Sequence, residues 1–572
     1  MASLTEIPIV AKLADIPLVS TLAAHPYITA ALVALVVGYL YLFPYTERRY
    51  GIYNIPGPRN PSAFWGNLRE VIDAPPNAKH EEWFQQYGNV VRYNFLMGGQ
   101  RLSSVDMGFI GHVLQHNDDF IKPIRAQQML ERLLGNGVLI AEHAAHRRQR
   151  RVLNPAFSVA AIRDMVPIFY DKSYELQRKL IELIDEPSQD DHASPTPAKP
   201  EDVVKGARKI DVMRYMGAAT LDVIGLAGFD YDFNALHDNK NELAEAFRTM
   251  FSAGMGVSPM NVLQNFIPAM QLIPTKSREA TRRSRAITVR IGKELMDNKK
   301  KAVRALFAGE VEKGSDIGKD LLSLVIKANM ASDLRPDQQL TDDEVLAQIT
   351  TFMLAGNETS STALTWLLYR LAIHKDVQDR LRAECQAVPT DRPSMEEINA
   401  LPFLDKCVHE SLRFDNPVAN TIREAVSDQV IPLSEPVMGR DGKLMSEIHV
   451  KAGTTIFLPI MNVNRSKEIW GEDADKFNPD RFGVGGVPHK HVPGVFGNLL
   501  TFLGGARNCI GYRFALVEIK MMLFVLMRSF EFDQLPSKPE YEAKSAIVMR
   551  PRVVGEEDAG LQMPLLVRVL DQ

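Results

Sequence analysis

Cysteine is what this sequence has least of: three in 572 residues, Cys385, Cys407 and Cys509. So few thiols exclude a disulfide framework and fit a reducing, cytosol-facing location. No charge of one sign dominates either. The formal net charge is −4, which gives no reason to expect nucleic acid as a partner. Internal repeats are missing too. What is present is an ordinary globular composition, 45% hydrophobic and 24% charged, enough to build a large core. Length alone would suggest two or three domains.

The N-terminus departs from this average. Tyr27 to Phe43 (YITAALVALVVGYLYLF) carries no charge and as a helix would span roughly 26 Å. That is enough for a thin bilayer such as that of the endoplasmic reticulum. Arg48 and Arg49 follow the run, while Glu6, Lys12 and Asp15 precede it, which places the body on the cytosolic side. A signal peptide fits poorly, because the run starts late and lacks a basic lead. The expectation is a tail over 1–26, a single transmembrane anchor over 27–45 and a stiff Pro-rich hinge over 46–61 that includes IPGPRNP. A polar, Pro-rich stretch at 186–202 (EPSQDDHASPTPAKPED) reads as a disordered surface insertion.

Most of the remainder reads as helix. Thr341 and Glu344 have capping-box spacing, and the segment after them is apolar nearly all round, as a central buried helix would be. A second helix covers about Phe403 to Phe414, ending near Pro417, and a third follows Gly511. Strand signals are few: Gln429 to Leu433, Thr454 to Leu458 and Pro564 to Leu570.

Chemistry concentrates in Phe502 to Gly511 (FLGGARNCIG). Gly504 and Gly505 permit a tight turn and a close approach of backbone to a flat ligand. Gly511 lets a helix start directly after Cys509, whose sulfur then faces that helix's N-terminal amides. Arg507 could pair with an anionic ligand group. One soft sulfur without a second cysteine or histidine at ligand spacing is no zinc site; it suits a single axial bond to haem iron. A Gly-Lys-Ser/Thr ending is missing, which excludes a phosphate loop. In the buried helix, Ala355-Gly356-Asn357-Glu358-Thr359-Ser360 sets an acid beside a hydroxyl, costly in apolar surroundings unless paired or solvated. Glu410 and Arg413 lie on one helical face.

The cysteine loop resembles the haem-binding loop of the cytochrome P450 family, Phe-x-x-Gly-x-Arg-x-Cys-x-Gly, with every fixed position present as Phe502, Gly505, Arg507, Cys509 and Gly511. Ala515 stands at a further expected place. The resemblance covers roughly residues 50 to 570. It implies a mainly α, P450-like helical domain with a minor β-sheet region, so that 62–572 is one haem-thiolate domain. It implies haem b (iron protoporphyrin IX) on Cys509, with Glu358 relaying protons and Thr359 hydrogen-bonding dioxygen. It also implies a structural trio, Glu410 and Arg413 locked to Arg481 of FNPDRF, that holds the cysteine loop. His146 and Arg150 resemble the family's Trp-x-x-x-Arg helix, which binds haem propionates, although this chain has histidine where tryptophan is commoner. Arg423 sits where the family often places another propionate-binding arginine.

About sixty residues follow Cys509, too few for a flavin domain. Electrons are therefore expected from NADPH through a separate flavin-containing NADPH–cytochrome P450 reductase, with cytochrome b5 as an additional donor. The function implied is a monooxygenase that inserts one oxygen atom of O2 into a lipophilic substrate, a terpenoid or other secondary metabolite by likeness to fungal microsomal members. Fatty acids, sterols and xenobiotics remain open. An isomerase or dehydratase on the same fold, needing no external electrons, is the rival; a non-catalytic haem protein is the third reading. Substrate contacts are expected from the loop around Phe120 to Leu139, the Met250 to Ile273 region, Phe352, Ala355 and Ala419 to Ile422. Phe251, Met255 and Phe266 would line an entry path from the bilayer.

Overall fold

Helix dominates the computed structural model, which describes residues 25–40, 51–185, 193–237, 241–255, 264, 273, 275–308, 318–331, 334–483, 490–545 and 547–570. The elements that frame the site are α1 (Pro26–Leu40), α2 (His143–Leu153), α3 (Val159–Asp185), α4 (Val212–Phe229), α5 (Lys276–Phe307), α6 (Asp342–Ile373), α7 (Pro402–Phe414) and α8 (Tyr512–Ser529). The strands are β1 (Val90–Asn94), β2 (Gln100–Ser104), β3 (Phe120–Ile121), β4 (Ala207–Asp211), β5 (Thr421–Ala425), β6 (Gln429–Met438), β7 (Leu444–Val450), β8 (Thr455–Leu458), β9 (Phe530–Asp533), β10 (Tyr541–Ser545), β11 (Met549–Val553) and β12 (Pro564–Val569).

The capping box expected at Thr341 is formed. The Thr341 hydroxyl accepts from the Glu344 amide, and the Glu344 carboxylate accepts from the Thr341 amide. From there α6 runs buried on nearly every side, because its side chains meet α4, α5, α7 and α8 in turn. Core helix α8 is likewise buried from Leu516 to Met527. The sheets stay small. One has the order β1-β2-β8-β5-β3, antiparallel except where β2 runs parallel to β8; another is β4-β12-β9; β6–β7 and β10–β11 are hairpins.

Two sequence expectations change here. The apolar run forms α1, exposed and uncharged, over 15 described residues, and the rest of the expected anchor lies outside those described. No single helix among the described residues is long and apolar enough to cross a membrane; residues 41–50 lie outside those described. The expected insertion is only partly free of the body. Residues 186–192 lie outside the described part, but Ala193 is buried and Asp202 binds Ser537 through both its amide and its hydroxyl. Lys209 Nζ donates to Thr196 Oγ1 and to the Pro197 carbonyl. Residues 193–202 are thus ordered against β4, because prolines and short side chains suit an extended segment whose polar atoms find fixed partners.

Candidate active site

Cys509 precedes α8 by one turn. Cys385 and Cys407 are buried, and Cys509 is the exposed one of the three. Although solvent reaches it, the protein packed around the loop pushes the Cys509 thiol above the usual value, while the Gly511 amide and the Arg150 guanidinium favour the thiolate. The Cys509 amide donates to the Phe502 carbonyl at 2.9 Å, closing the loop. Gly505 has φ +64, and a Cβ on it would lie 2.2 Å from the Leu114 carbonyl oxygen; a Cβ on Gly504 would lie 1.8 Å from that of Pro493. The glycines therefore let the loop pass protein backbone, where the sequence suggested close approach to a ligand. Phe502 packs edge-on to Phe496.

Opposite this loop stands the middle of α6. The helix is buried through Leu354 and again from Ser360, but Ala355 is exposed and the four residues after it are half-buried. Phe157 joins the two parts: its ring meets Phe352 edge-on at 5.3 Å, and Gly511 lies against it. Thr359 Oγ1 donates to the Ala355 carbonyl at 2.5 Å. Glu358 is ion-paired with Arg550 of β11 at 2.5 Å. Asn357 Oδ1 accepts from Thr220 of α4. Acid and hydroxyl thus stand where the buried helix loses its cover, and the acid is charge-paired as burial demands.

Behind α6, Ser360 meets Glu518 of α8. Glu518 is 0% exposed, neither of its oxygens has a hydrogen-bond partner among the described residues, and burial pushes its pKa up to about 8 against the pull of Ser360.

The structural trio is assembled as the resemblance implied. Arg413 and Glu410 are both 0% exposed and paired through Nε and Nη2 at 2.7 and 2.8 Å. Arg413 also donates to the carbonyls of Asn464, Ala474 and Lys476. Arg481 Nε lies 3.6 Å from Glu410, which also accepts from the Asn478 amide. Through these bonds α7 fastens the chain from 464 to 481, and Asn464 in turn accepts from the Leu500 amide just before the cysteine loop.

The sequence profile of the cytochrome P450 family matches residues 56–554. The chain belongs to the cytochrome P450 family. Among curated relatives, it is 42% identical over 521 residues to cytochrome P450 monooxygenase 205 of Postia placenta, covering 90% of this chain and 92% of that one. Cytochrome P450 monooxygenase 128 of the same fungus is 40% identical, with 94% and 96% covered. Cytochrome P450 monooxygenase claP of Ampulloclitocybe clavipes is 33% identical, with 90% and 92% covered. These relatives are named monooxygenases, and this P450 is an enzyme of that oxidoreductase family.

Membership implies haem, and the residues of this P450 fit its two propionates. Arg423 is 3% exposed, its side-chain bonds among the described residues go to Thr421 and Ile422 of its own strand, and burial lowers its pKa to about 10. Strands β3 and β5 pair Phe120 with Ala425 and Ile121 with Glu424, which brings Lys122, just past the end of β3, close enough to Arg423 for the two charges to act on each other. Burial, then Arg423 and Arg507, hold Lys122 well below its ordinary value. Burial also lowers Arg507 to about 10 and His146 to about 4. His146 is 3% exposed, and its Nδ1 has no partner among the described residues. Among the described residues Glu142 answers this group by pairing with Arg507 and, at 3.7 Å, with Lys122, and Asp118 adds a more distant negative charge. Buried Arg423 and Lys122, with the neutral ring of His146 as a further donor, suit a ligand that carries carboxylates.

Not every expected contact lies where the resemblance put it. Arg150 grips the cysteine loop itself, through the carbonyl of Asn508 at 2.7 Å and its Oδ1, with Nε on Asn154. Arg507 is spent on Glu142 and the Ala141 carbonyl. Of the expected substrate contacts, Phe120, Phe352 and Ala419 are core residues, and Ile422 packs on the cluster of Trp83, Tyr93 and Phe457. Ala355 is exposed, as are Ile124 and Leu139 of the expected loop. The loop at 135–138 does lie on α6, where the Val138 amide donates to Gln348. Phe266 and the side chains of Phe251 and Met255 lie outside the described residues. Lys122, Glu142 and Arg550 escaped sequence reasoning. For Lys122 the signal was a cation directly behind the apolar Phe120-Ile121, in a stretch read as substrate contact.

Proposed function

We propose that this P450 inserts one atom of O2 into a lipophilic organic substrate, with electrons passed from NADPH through a separate reductase and with cytochrome b5 as a further donor. The observation that carries the reading is the facing pair: a cysteine at the head of α8, and the Glu358–Thr359 pair where α6 loses its cover. Haem bound through Cys509 supplies the oxygen-activating redox chemistry. The protein's share is to orient and to move protons. Lys122, Arg423 and His146 hold the carboxylate edge of the group. Gly511 and Arg150 favour the anionic sulfur. Thr359 presents a hydroxyl to the reacting oxygen, and Glu358 passes it protons taken from solvent. Phe157 and Phe352 keep water from the space between loop and helix.

An acidic surface is proposed for the electron donor. Support comes from Arg147, Arg148 and Arg151 on one side of α2, although Arg147 and Arg148 also pair with Asp118 and Glu344 of this chain. Tethering to the endoplasmic reticulum, with the body in the cytosol, is supported by the uncharged, exposed α1. A terpenoid or other secondary metabolite is the proposed substrate class. Support comes from the fungal origin of the relatives and from Ala355 and Gly356, which offer only small apolar surface beside Thr359. The test is carbon monoxide binding to the reduced, haem-loaded full chain. The red-shifted Soret band of thiolate ligation is expected, and Cys509→Ser should abolish both band and NADPH-dependent product. A serine variant that retains either one overturns the assignment.

A further inference from the structure

Arg550 lies outside every motif of the sequence, yet its guanidinium holds the acid on which proton delivery depends. Its Nη2 stands 2.5 Å from Glu358 Oε2, and both side chains are about three-quarters buried, at 27% and 22% exposure. The strand that carries it is not free to drift. Trp366, two turns along α6 from Glu358, donates its indole N–H to the Met549 carbonyl at 2.8 Å, and the Met549 amide donates to the Pro417 carbonyl. In the β10–β11 hairpin Arg550 pairs across from Lys544, whose own ammonium is taken by Glu542. So α6 fixes β11, and β11 fixes the carboxylate of α6.

We propose that Arg550 is a positioning residue for proton transfer. It holds the Glu358 carboxylate beside Thr359, and a single swing from the guanidinium to the neighbouring hydroxyl delivers each proton. In that step protonated Glu358 gives its proton to Thr359 Oγ1 as the hydroxyl passes its own proton on to the reacting oxygen, and Glu358 returns as carboxylate to Arg550, where it takes the next proton from solvent. Charge and proton count are unchanged over the cycle. A guanidinium suits the task, since it stays charged throughout and offers two donors in a plane, which limits the directions the carboxylate can take. The proposal rests on the relay reading given above for Glu358.

The test uses the haem-loaded full chain with a P450 reductase and, as probe, a lipophilic coumarin ether whose dealkylation releases a fluorescent phenol. Product and hydrogen peroxide are each measured per NADPH oxidised, in H2O and in D2O. Glu358→Gln should lower product per NADPH by roughly tenfold, raise peroxide and enlarge the solvent isotope effect. Arg550→Met should do the same with the carbon monoxide spectrum unchanged, Arg550→Lys should recover most of the loss, and the double variant should be no worse than either single one. If Glu358→Gln lowers product but Arg550→Met does not, or if the two losses multiply, the positioning role is refuted and the relay stands. If Glu358→Gln changes nothing, the relay itself falls. Arg550→Lys guards against misfolding: a lysine variant with a normal spectrum and no recovery also counts against the proposal.

Discussion

Replacing Glu518 with glutamine isolates the cost of one buried acid. In the folded chain its pKa is about 8 against an ordinary 4.5, and burial is the main cause. An acid raised on folding carries no penalty while it is protonated in both states, below about 4.5. The penalty grows as pH climbs from there toward 8, because the unfolded chain ionises first and gains from it, and above 8 it is constant. At pH 7 the gap is about 2.5 pH units, or ~3 kcal/mol at 1.36 kcal/mol per unit. Glutamine has the same shape and no proton to lose, so the variant escapes this term. With melting entropy of ~2.1 cal/mol/K per residue over about 500 residues, ~3 kcal/mol corresponds to about 3 °C. Calorimetric scans of both full-length proteins at matched rates should show midpoints within a degree at pH 4.5. The glutamine protein should melt about 3 °C higher at pH 7 and another degree higher by pH 8. A difference that does not change with pH, or a glutamine protein that melts lower at pH 8, would refute the reasoning.

Arg413→Met should be far harsher. It leaves Glu410 in the interior with Arg481 at 3.6 Å as its remaining cation, and strips three carbonyls of their donor. Breaking such a pair costs about 3–5 kcal/mol, most of a typical stability margin, so the yield of carbon monoxide-binding protein should collapse; a normal yield contradicts the structural role. Lys122→Met removes one side chain from the group that would hold the haem carboxylates. Charge-assisted bonds are worth ~1.5–3 kcal/mol, so haem transfer to a haem-free acceptor should quicken by about tenfold or more, and an unchanged rate would remove Lys122 from that group.

Much of this site was legible because its signals are local. The cysteine loop keeps five fixed residues within ten positions, and Thr341 and Glu344 cap α6 at a spacing that only a helix end uses. The Glu410–Arg413 pair could be read as two residues on one face, and its complete burial follows from partners on distant segments. What stayed hidden depends on tertiary contact. Strand β3 has two residues, too short for any period-two pattern, yet it alone brings Lys122 to Arg423. Arg550 meets Glu358 only because Trp366 ties β11 to α6. Gly504 and Gly505 announced a close approach but not to what, since a glycine records the lack of room and not the neighbour. The segment 193–202 has the composition of a free loop, and a few specific hydrogen bonds override it.

The closeness of Lys122 to Arg423 bears on how the protein takes up its cofactor. Two like charges held near each other push apart, and that repulsion works against the pairing of β3 with β5. An incoming dicarboxylate turns that repulsion into attraction on both strands at once. Uptake of a group that carries carboxylates should therefore tighten this edge, and the amides of Ile121 and Glu424 are expected to exchange hydrogen more slowly in the haem-loaded protein than in the haem-free one.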